Sequence, residues 1–141
     1  MQARVKWVEQ VTFMATSGSG HALVVDGPPD HGGRNLGPRP MELLLMGLGS
    51  CSSFDVVSIL KKSRQRVTGC EVDLQAERAD SVPAVFTRIH LLFKVSGHDL
   101  SPAAVERAVR LSAEKYCSAS IMLGAAGVQI THDFVIEADA A

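Results

Sequence analysis

The sequence predicts an α+β protein in which antiparallel β-sheet packs around one long central helix, with residues 1–141 forming a single domain. Three observations support this. The 141 residues are 46% hydrophobic and 21% charged, which is typical of one globular domain. The stretch 41–60 carries only two charges and is long enough for a buried helix. Segments of alternating apolar and polar residues flank that helix and predict strands.

The N-terminal part is predicted to form a hairpin. Residues 4–14 carry β-branched and aromatic side chains in partial alternation, and residues 21–26 form a short apolar run after a Ser/Gly segment. Such runs, separated by turn residues, are typical of paired strands. The following residues, 27–40, are rich in glycine and proline and predict a loop.

The central helix is predicted over residues 41–60. Pro40 suits the first turn of a helix, and Glu42 favours the positive N-terminal end of the helix dipole. The stretch is as long as a membrane span. Its two carboxylates, Glu42 and Asp55, and its serines instead favour a core helix outside any membrane. Since the helix is apolar nearly all round, it needs cover on more than one side, so we expect an obligate homodimer.

The rest of the chain predicts a second hairpin, two helices and a last strand. The alternating segments 70–78 and 85–96 form the hairpin, Ser101 caps the next helix, and residues 128–138 form the strand. In the helix after Ser101, the residues at core-facing spacing are Val105, Ala108, Val109, Ser112 and Tyr116. The pattern continues through Cys117, after which Ser118 or Ser120 could cap a short helix.

Composition limits the classes of partner and cofactor that are expected for this protein. A net charge of −1 favours neither nucleic acid nor an anionic membrane as partner. Three cysteines and no leader segment predict a cytoplasmic protein with reduced thiols. There is no CxxC, HExxH or paired Cys/His spacing, so no metal site is expected, and no motif calls for a cofactor.

Two cysteines are the candidates for chemistry. Cys51 lies in the middle of the central helix, and Cys117 lies in the second helical region. Both could be small buried hydrophobic residues, because free cysteine is often buried without being reactive. The alternative is a redox pair in which one thiol attacks an oxidant and the other resolves the sulfenic acid. Spacing does not decide between these, because disulfide formation depends on distance in space.

The segments PMELLLMGLGSC, residues 40–51, and EKYCSAS, residues 114–120, resemble the OsmC/Ohr family of osmotically induced and organic-hydroperoxide-resistance proteins. The similarity is closest to its OsmC-like, YhfA-like branch and covers nearly the whole chain. The resemblance implies the OsmC-like fold, an intertwined homodimer with sites at the subunit interface, and a part in the oxidative stress response. It implies no metal, flavin or haem.

The resemblance also implies a reaction, the thiol-dependent reduction of organic hydroperoxides. Cys51 would be the attacking thiolate, Cys117 the resolving thiol, and an external dithiol would reduce the disulfide. An apolar lining around Cys51 would suit a fatty hydroperoxide better than hydrogen peroxide. The residues expected to provide it are Leu44, Leu48 and Phe54.

This chain departs from the family in the residues that would supply positive charge to the thiolate. Peroxidase members use an arginine from the N-terminal region, held by a glutamate directly after the helix-starting proline. Here that position is Met41, and Glu42 comes one place later, about 100° further around the helix. Arg34 and Arg39, in the loop before the helix, are the possible substitutes. Two alternatives therefore stay open: an OsmC-like dimer that binds a lipid or another small molecule, and a structural dimer with inert cysteines.

Overall fold

A computed structural model describes residues 1–139 of the chain. These residues divide into two units, Met1–Met46 and the part that begins at Gly47. In chain order the elements are β1 (Ala3–Glu9), β2 (Thr12–Ser17), β3 (Ala22–Val25), a 3₁₀ turn (Pro29–His31), α1 (Pro40–Lys62), β4 (Arg66–Arg78), β5 (Phe86–His98), α2 (Pro102–Leu111), a π-helical turn (Ser112–Tyr116), α3 (Ser118–Ala125) and β6 (Gln129–Glu137).

The first unit contains an antiparallel sheet in the order β1-β2-β3. The predicted hairpin was wrong in its strand count, because residues 4–14 do not form one strand. The chain reverses at Gln10, which takes a left-handed conformation with φ 48° of the kind that tight turns use. Residues 4–14 therefore belong to two strands, and the segment 21–26 supplies the third.

Helix α1 confirms the predicted central helix and extends it to Lys62. Glu42 lies in its first turn and Lys61 and Lys62 in its last, so the charges at both ends complement the helix dipole. By length and composition it is the one helix among residues 1–139 that could cross a membrane, with a mean hydropathy of 1.8. The core helix of a domain outside any membrane passes the same test.

The second unit contains a sheet in the order β4-β5-β6. Strands β4 and β5 form the predicted hairpin, but β6 lies parallel to β5, where the sequence led us to expect antiparallel pairing throughout. The physical reason is the connection. Two helices and a π-helical turn separate β5 from β6, and a crossover of that length is what parallel pairing requires.

Helix α1 and the sheet form the core of the second unit. The buried α1 side chains lie at intervals of four residues along one face: Leu48, Ser52, Val56 and Leu60. Within this face Gly49 approaches the sheet closely, because a Cβ built on it would meet Leu74 Cδ1 of β4 at 2.8 Å. The absence of a side chain at Gly49 leaves room for Leu74 at this point.

The segment after α2 departs from the predicted pattern. Ser101 caps α2, as predicted, and accepts a hydrogen bond from Ala104 N, and Ser112 is buried as expected. Tyr116, however, is 51% exposed, so its prediction as a core residue was wrong. The π-helical turn at residues 112–116 is wider than a turn of α-helix. Side chains at its end therefore do not face the direction that α-helical spacing predicts.

Candidate functional site

The candidate site is a pair of thiols with a carboxylate beside them. Cys51 lies on α1, Asp55 lies one turn further along the same helix, and Cys117 lies between the π-helical turn and α3. The two sulfur atoms and a carboxylate oxygen of Asp55 all lie within 4.8 Å of one another. Cys117 is fully buried, whereas Cys51 and Asp55 are half-buried. Residues that are 66 positions apart in the sequence therefore meet at one point.

Serine side chains hold the two cysteine-bearing segments together. Ser112 is buried at the start of the π-helical turn, and its Oγ donates to the backbone oxygen of Ser52 at 3.0 Å. The same hydroxyl lies 3.5 Å from Asp55 Oδ2. Ser120 Oγ donates to the Ala113 carbonyl at 3.2 Å, which ties the start of α3 back to the π-helical turn.

Cys117 itself is the N-cap of α3, a role predicted for Ser118 or Ser120. The chain takes an extended conformation at Cys117, so the helix does not continue through it, and its sulfur accepts from Ser120 N at 3.4 Å. Ser52 Oγ donates to the same sulfur at 3.3 Å. Burial is the largest influence and raises the pKa of the Cys117 thiol. The two donors act against the rise, and the neighbouring Cys51 adds to it.

Cys70, the third cysteine, lies apart from this group. It is half-buried on β4, opposite Val95 of β5. Burial raises the pKa of its thiol, and a hydrogen bond with Ser53 partly offsets the effect. Its place on β4 keeps its sulfur out of the group formed by Cys51, Asp55 and Cys117.

The predicted cations and the glutamate lie in the first unit. Arg39 Nε lies 3.8 Å from Glu42 Oε1, and Glu42 Oε1 also accepts from Arg39 N at 2.9 Å. Arg39 Nη1 donates to Asn35 Oδ1 at 2.6 Å. Arg34 forms a 2.6 Å ion pair with Glu9. Arg34 and Arg39 each have a carboxylate partner, and their action on Cys51 stays a prediction.

Asp26, which the sequence did not single out, organises the loop that carries Arg34. Its carboxylate accepts from three backbone N–H groups, those of Gly27, Arg34 and Leu36, and from Thr12 Oγ1, at 2.8–3.1 Å. Burial works to raise the pKa of this carboxyl, but the four donors together hold it below its usual value. An aspartate directly before a Gly/Pro-rich loop was the sequence signal that could have indicated this role.

A cleft of about 400 Å³ lies beside Asp55 between α1 and the helical region after β5. Its polar lining includes Lys62 and Arg107. Its apolar lining side chains are Phe54, Ile59, Leu111 and Tyr116. Phe54, expected to line a pocket at Cys51, lines this cleft, whose lining does not include Cys51, whereas Leu48 lies buried in the core.

Residues 31–133 match the family model described as OsmC-like protein, a range that includes both cysteines and the whole of α1. The chain belongs to the OsmC-like protein family. This membership confirms the resemblance on which the sequence interpretation relied. It also confirms the α+β fold, because solved members of the OsmC/Ohr group superpose on nearly all of the chain.

Three relatives show how far the OsmC-like similarity extends. Protein YhfA of Escherichia coli K12 is 54% identical over 138 residues, which cover 98% of this chain and 99% of YhfA. A crystal structure of an Aquifex aeolicus protein has a TM-score of 0.85 at 29% identity and covers 99% of this chain and 97% of that one. The organic hydroperoxide resistance protein OhrB of Bacillus subtilis has a TM-score of 0.64 at 18% identity, covering 96% and 98%, which shows a shared fold alone.

Proposed function

We propose that this protein is a thiol-dependent peroxidase that reduces organic hydroperoxides. The observation that carries the proposal is the approach of the Cys51 and Cys117 sulfur atoms to within 4.8 Å. A disulfide bond is about 2.05 Å long, so closing the pair needs a movement of less than roughly 3 Å. Membership in the OsmC-like family and the likeness to organic hydroperoxide resistance proteins support the same reaction.

The difference in burial supports the division of roles between the two thiols. Cys51 is half-buried and accessible to a substrate, whereas Cys117 is fully buried. The attacking group must reach the peroxide, so Cys51 is the nucleophile. Cys117 needs to reach only the oxidised sulfur of Cys51, and its raised pKa keeps its proton available for the water that leaves in the second step.

The proposed cycle has three steps. The Cys51 thiolate attacks one peroxide oxygen, the O–O bond breaks, and the alkoxide leaves as the alcohol after taking a proton, so that Cys51 becomes a sulfenic acid. The Cys117 thiol then attacks the Cys51 sulfur, forms the disulfide and releases water. Finally an external dithiol reduces the disulfide by exchange and is itself oxidised to a disulfide. In sum, hydroperoxide and dithiol become alcohol, water and oxidised dithiol.

The thiolate also requires positive charge, and we propose Arg34 and Arg39 as its sources, with Glu42 orienting Arg39. Support comes from the contacts in the first unit, where Glu42 holds both the backbone and the side chain of Arg39. Replacing each arginine by glutamine separately would identify the one that matters. The expected result is a slower first step for that variant and an unchanged rate of disulfide reduction.

We further propose that the protein works as a homodimer in the cytoplasm, where dithiol reductants are available. Phe54 is 75% exposed although it lies in the middle of α1, and the shallow surface beside it, which includes Val57, is largely apolar. An apolar surface of this kind is typical of a subunit interface. Sedimentation equilibrium tests the dimer, and a monomer at micromolar concentration would contradict it.

The decisive experiment is steady-state consumption of cumene hydroperoxide with dithiothreitol as reductant, run beside hydrogen peroxide. We expect faster turnover of the organic peroxide. Cys51→Ser should lower the rate by roughly a hundredfold or more, because the nucleophile is gone. Cys117→Ser should allow one oxidation and then stall as a sulfenic or over-oxidised acid, and Cys70→Ser is the matched control. Normal peroxide consumption by Cys51→Ser would contradict the proposal.

A second candidate function is favoured by the cleft beside Asp55. Its mixed lining, with apolar side chains beside two basic residues, Lys62 and Arg107, suits an amphipathic anion such as a fatty acid, which an OsmC-like binding protein could hold. Thiol alkylation distinguishes the candidates. Rapid modification of Cys51 near neutral pH, abolished by one equivalent of hydroperoxide, supports the peroxidase. Slow modification of Cys51, with or without peroxide, favours the binding protein.

A further inference from the structure

The two cysteines and Asp55 together present three metal-ligating atoms to one point. Both sulfur atoms and a carboxylate oxygen lie within 4.8 Å of one another, and they come from two separate segments of the chain. Cys51 and Asp55 are one turn apart on α1, so helix geometry fixes their spacing. Cys117 completes the group from the other side.

This arrangement is close to what a tetrahedral ion requires. Zinc binds sulfur at about 2.3 Å and carboxylate oxygen at about 2.0–2.2 Å. Two sulfur ligands of one tetrahedral ion therefore lie roughly 3.8 Å apart, and a sulfur and an oxygen roughly 3.5 Å apart. The observed spacings, all within 4.8 Å, exceed these values by at most about 1.0 Å for the sulfur pair and about 1.3 Å for a sulfur and the oxygen, which side-chain rotation can provide. Three protein ligands leave the fourth position to solvent.

The donor set and its surroundings select the class of ion. We propose that Cys51, Asp55 and Cys117 in their reduced state bind one soft divalent cation of the zinc class. Thiolates favour Zn²⁺ and Cd²⁺ over the hard cations Mg²⁺ and Ca²⁺. Ser52 donates to the Cys117 sulfur and Ser112 approaches Asp55 Oδ2, and such outer contacts orient metal ligands in many sites.

No sequence motif indicated this site, and we expected no metal. Sequence motifs such as CxxC or HExxH identify metal ligands that lie a few residues apart in the chain. Here the third ligand comes 66 residues after the first, and only the folded chain brings it to the other two. The expectation of no metal rested on the absence of such local pairs and on the family resemblance, and the proposed site departs from that expectation.

Metal binding differs from peroxidase turnover in what it requires of the two thiols. Binding replaces the thiol protons, so up to two protons per ion leave to solvent. A Cys51–Cys117 disulfide removes both sulfur ligands and must prevent binding. The cation needs the reduced thiols only, and it needs neither a hydroperoxide nor turnover.

The test titrates the reduced protein with Cd²⁺ and follows the ultraviolet thiolate-to-metal charge-transfer band, with Zn²⁺ as competitor. We expect one ion per chain, displaced by Zn²⁺. Cys51→Ser and Cys117→Ser should each weaken binding by roughly a hundredfold, and Asp55→Asn by roughly tenfold. Cys70→Ser is the matched control and should bind as the unaltered protein does. An unchanged titration in Cys51→Ser or Cys117→Ser, or loss of the band in Cys70→Ser, would overturn the proposal.

A second measurement needs no substitution and so avoids variants that fold poorly. Diamide closes the thiol pair without any peroxide, and dithiothreitol reopens it. We expect the Cd²⁺ band to disappear after diamide and to return after reduction and removal of the reductant. If the oxidised protein binds Cd²⁺ as tightly as the reduced one, the site is not the thiol pair. Because neither measurement uses a hydroperoxide, failure here and failure of the peroxidase assay are separate results.

Discussion

The hydrogen bond between Ser112 and Ser52 is the contact that we expect to hold the two thiols together. Ser112 Oγ donates to the Ser52 carbonyl at 3.0 Å, and both residues are buried. One end of the bond lies on α1 beside Cys51, and the other lies in the turn that ends at Cys117. Ser112→Ala removes this link and leaves both cysteines in place.

The size of the effect follows from the burial of the bond. A hydrogen bond contributes about 1 kcal/mol to stability, and leaving its buried partner unsatisfied raises the cost. We therefore expect Ser112→Ala to lower the free energy of unfolding by about 1–2 kcal/mol. If all of that energy positions the thiols, the effective concentration of Cys117 at Cys51 falls by about five- to thirtyfold, since about 1.4 kcal/mol corresponds to tenfold.

Two assays measure these quantities. Urea unfolding under reducing conditions gives the stability change. Oxidation with one equivalent of cumene hydroperoxide, followed by alkylation at timed intervals and mass spectrometry, gives the rate of disulfide formation. Ser118→Ala is the control, because Ser118 is exposed and makes no side-chain hydrogen bond within residues 1–139. If Ser112→Ala matches Ser118→Ala in both assays, the bond does not hold the site.

Two further predictions concern the scaffold. Asp26→Asn should lower the Tm at pH 7 by roughly 5 °C. The pKa of Asp26 in the folded protein lies below its usual 3.8. The stability that the ionised carboxylate contributes is therefore present above pH 3.8 and is lost as the pH falls through the folded pKa. The difference in Tm should shrink below about pH 4, and a difference that stays constant with pH would contradict the reasoning. Gly49→Val should lower the free energy of unfolding by about 2 kcal/mol, because the added side chain would collide with Leu74. Gly47→Ala places a Cβ where nothing lies within 4 Å, so it should instead raise the free energy of unfolding by about 0.5–1 kcal/mol. Urea unfolding of both variants distinguishes a packing effect from a general intolerance of substitution in α1.

Local signals were sufficient for most elements of the fold. Pro40 and Glu42 marked the start of α1 correctly, because helix ends depend on nearby residues. Ser101 marked the start of α2 for the same reason. The parallel pairing of β6 was not predictable in this way, because it depends on which strand edge is free after two helices have crossed the sheet.

The site was less predictable than the fold. The family motifs indicated that Cys51 and Cys117 form a pair, whereas their separation in the sequence did not. Their distance depends on the π-helical turn before Cys117, whose extra residue per turn has no clear sequence signature. The same turn exposes Tyr116 and makes Cys117 a helix cap, so one local irregularity accounts for both errors in this segment.

The carboxylate of Asp55 relates the two proposed chemistries, because its charge affects them in opposite directions. A negative charge within 4.8 Å of the Cys51 sulfur repels the anionic nucleophile and the alkoxide that leaves in the first step, and the same charge attracts a cation. Asp55→Asn should therefore speed the first oxidation step several-fold at pH 7 while it weakens Cd²⁺ binding. Stopped-flow oxidation by cumene hydroperoxide and the Cd²⁺ titration, run on one preparation, measure both effects. A general disturbance of the site would slow oxidation as well as weaken binding, so changes in the same direction would refute the assignment of Asp55 as a metal ligand beside the nucleophile.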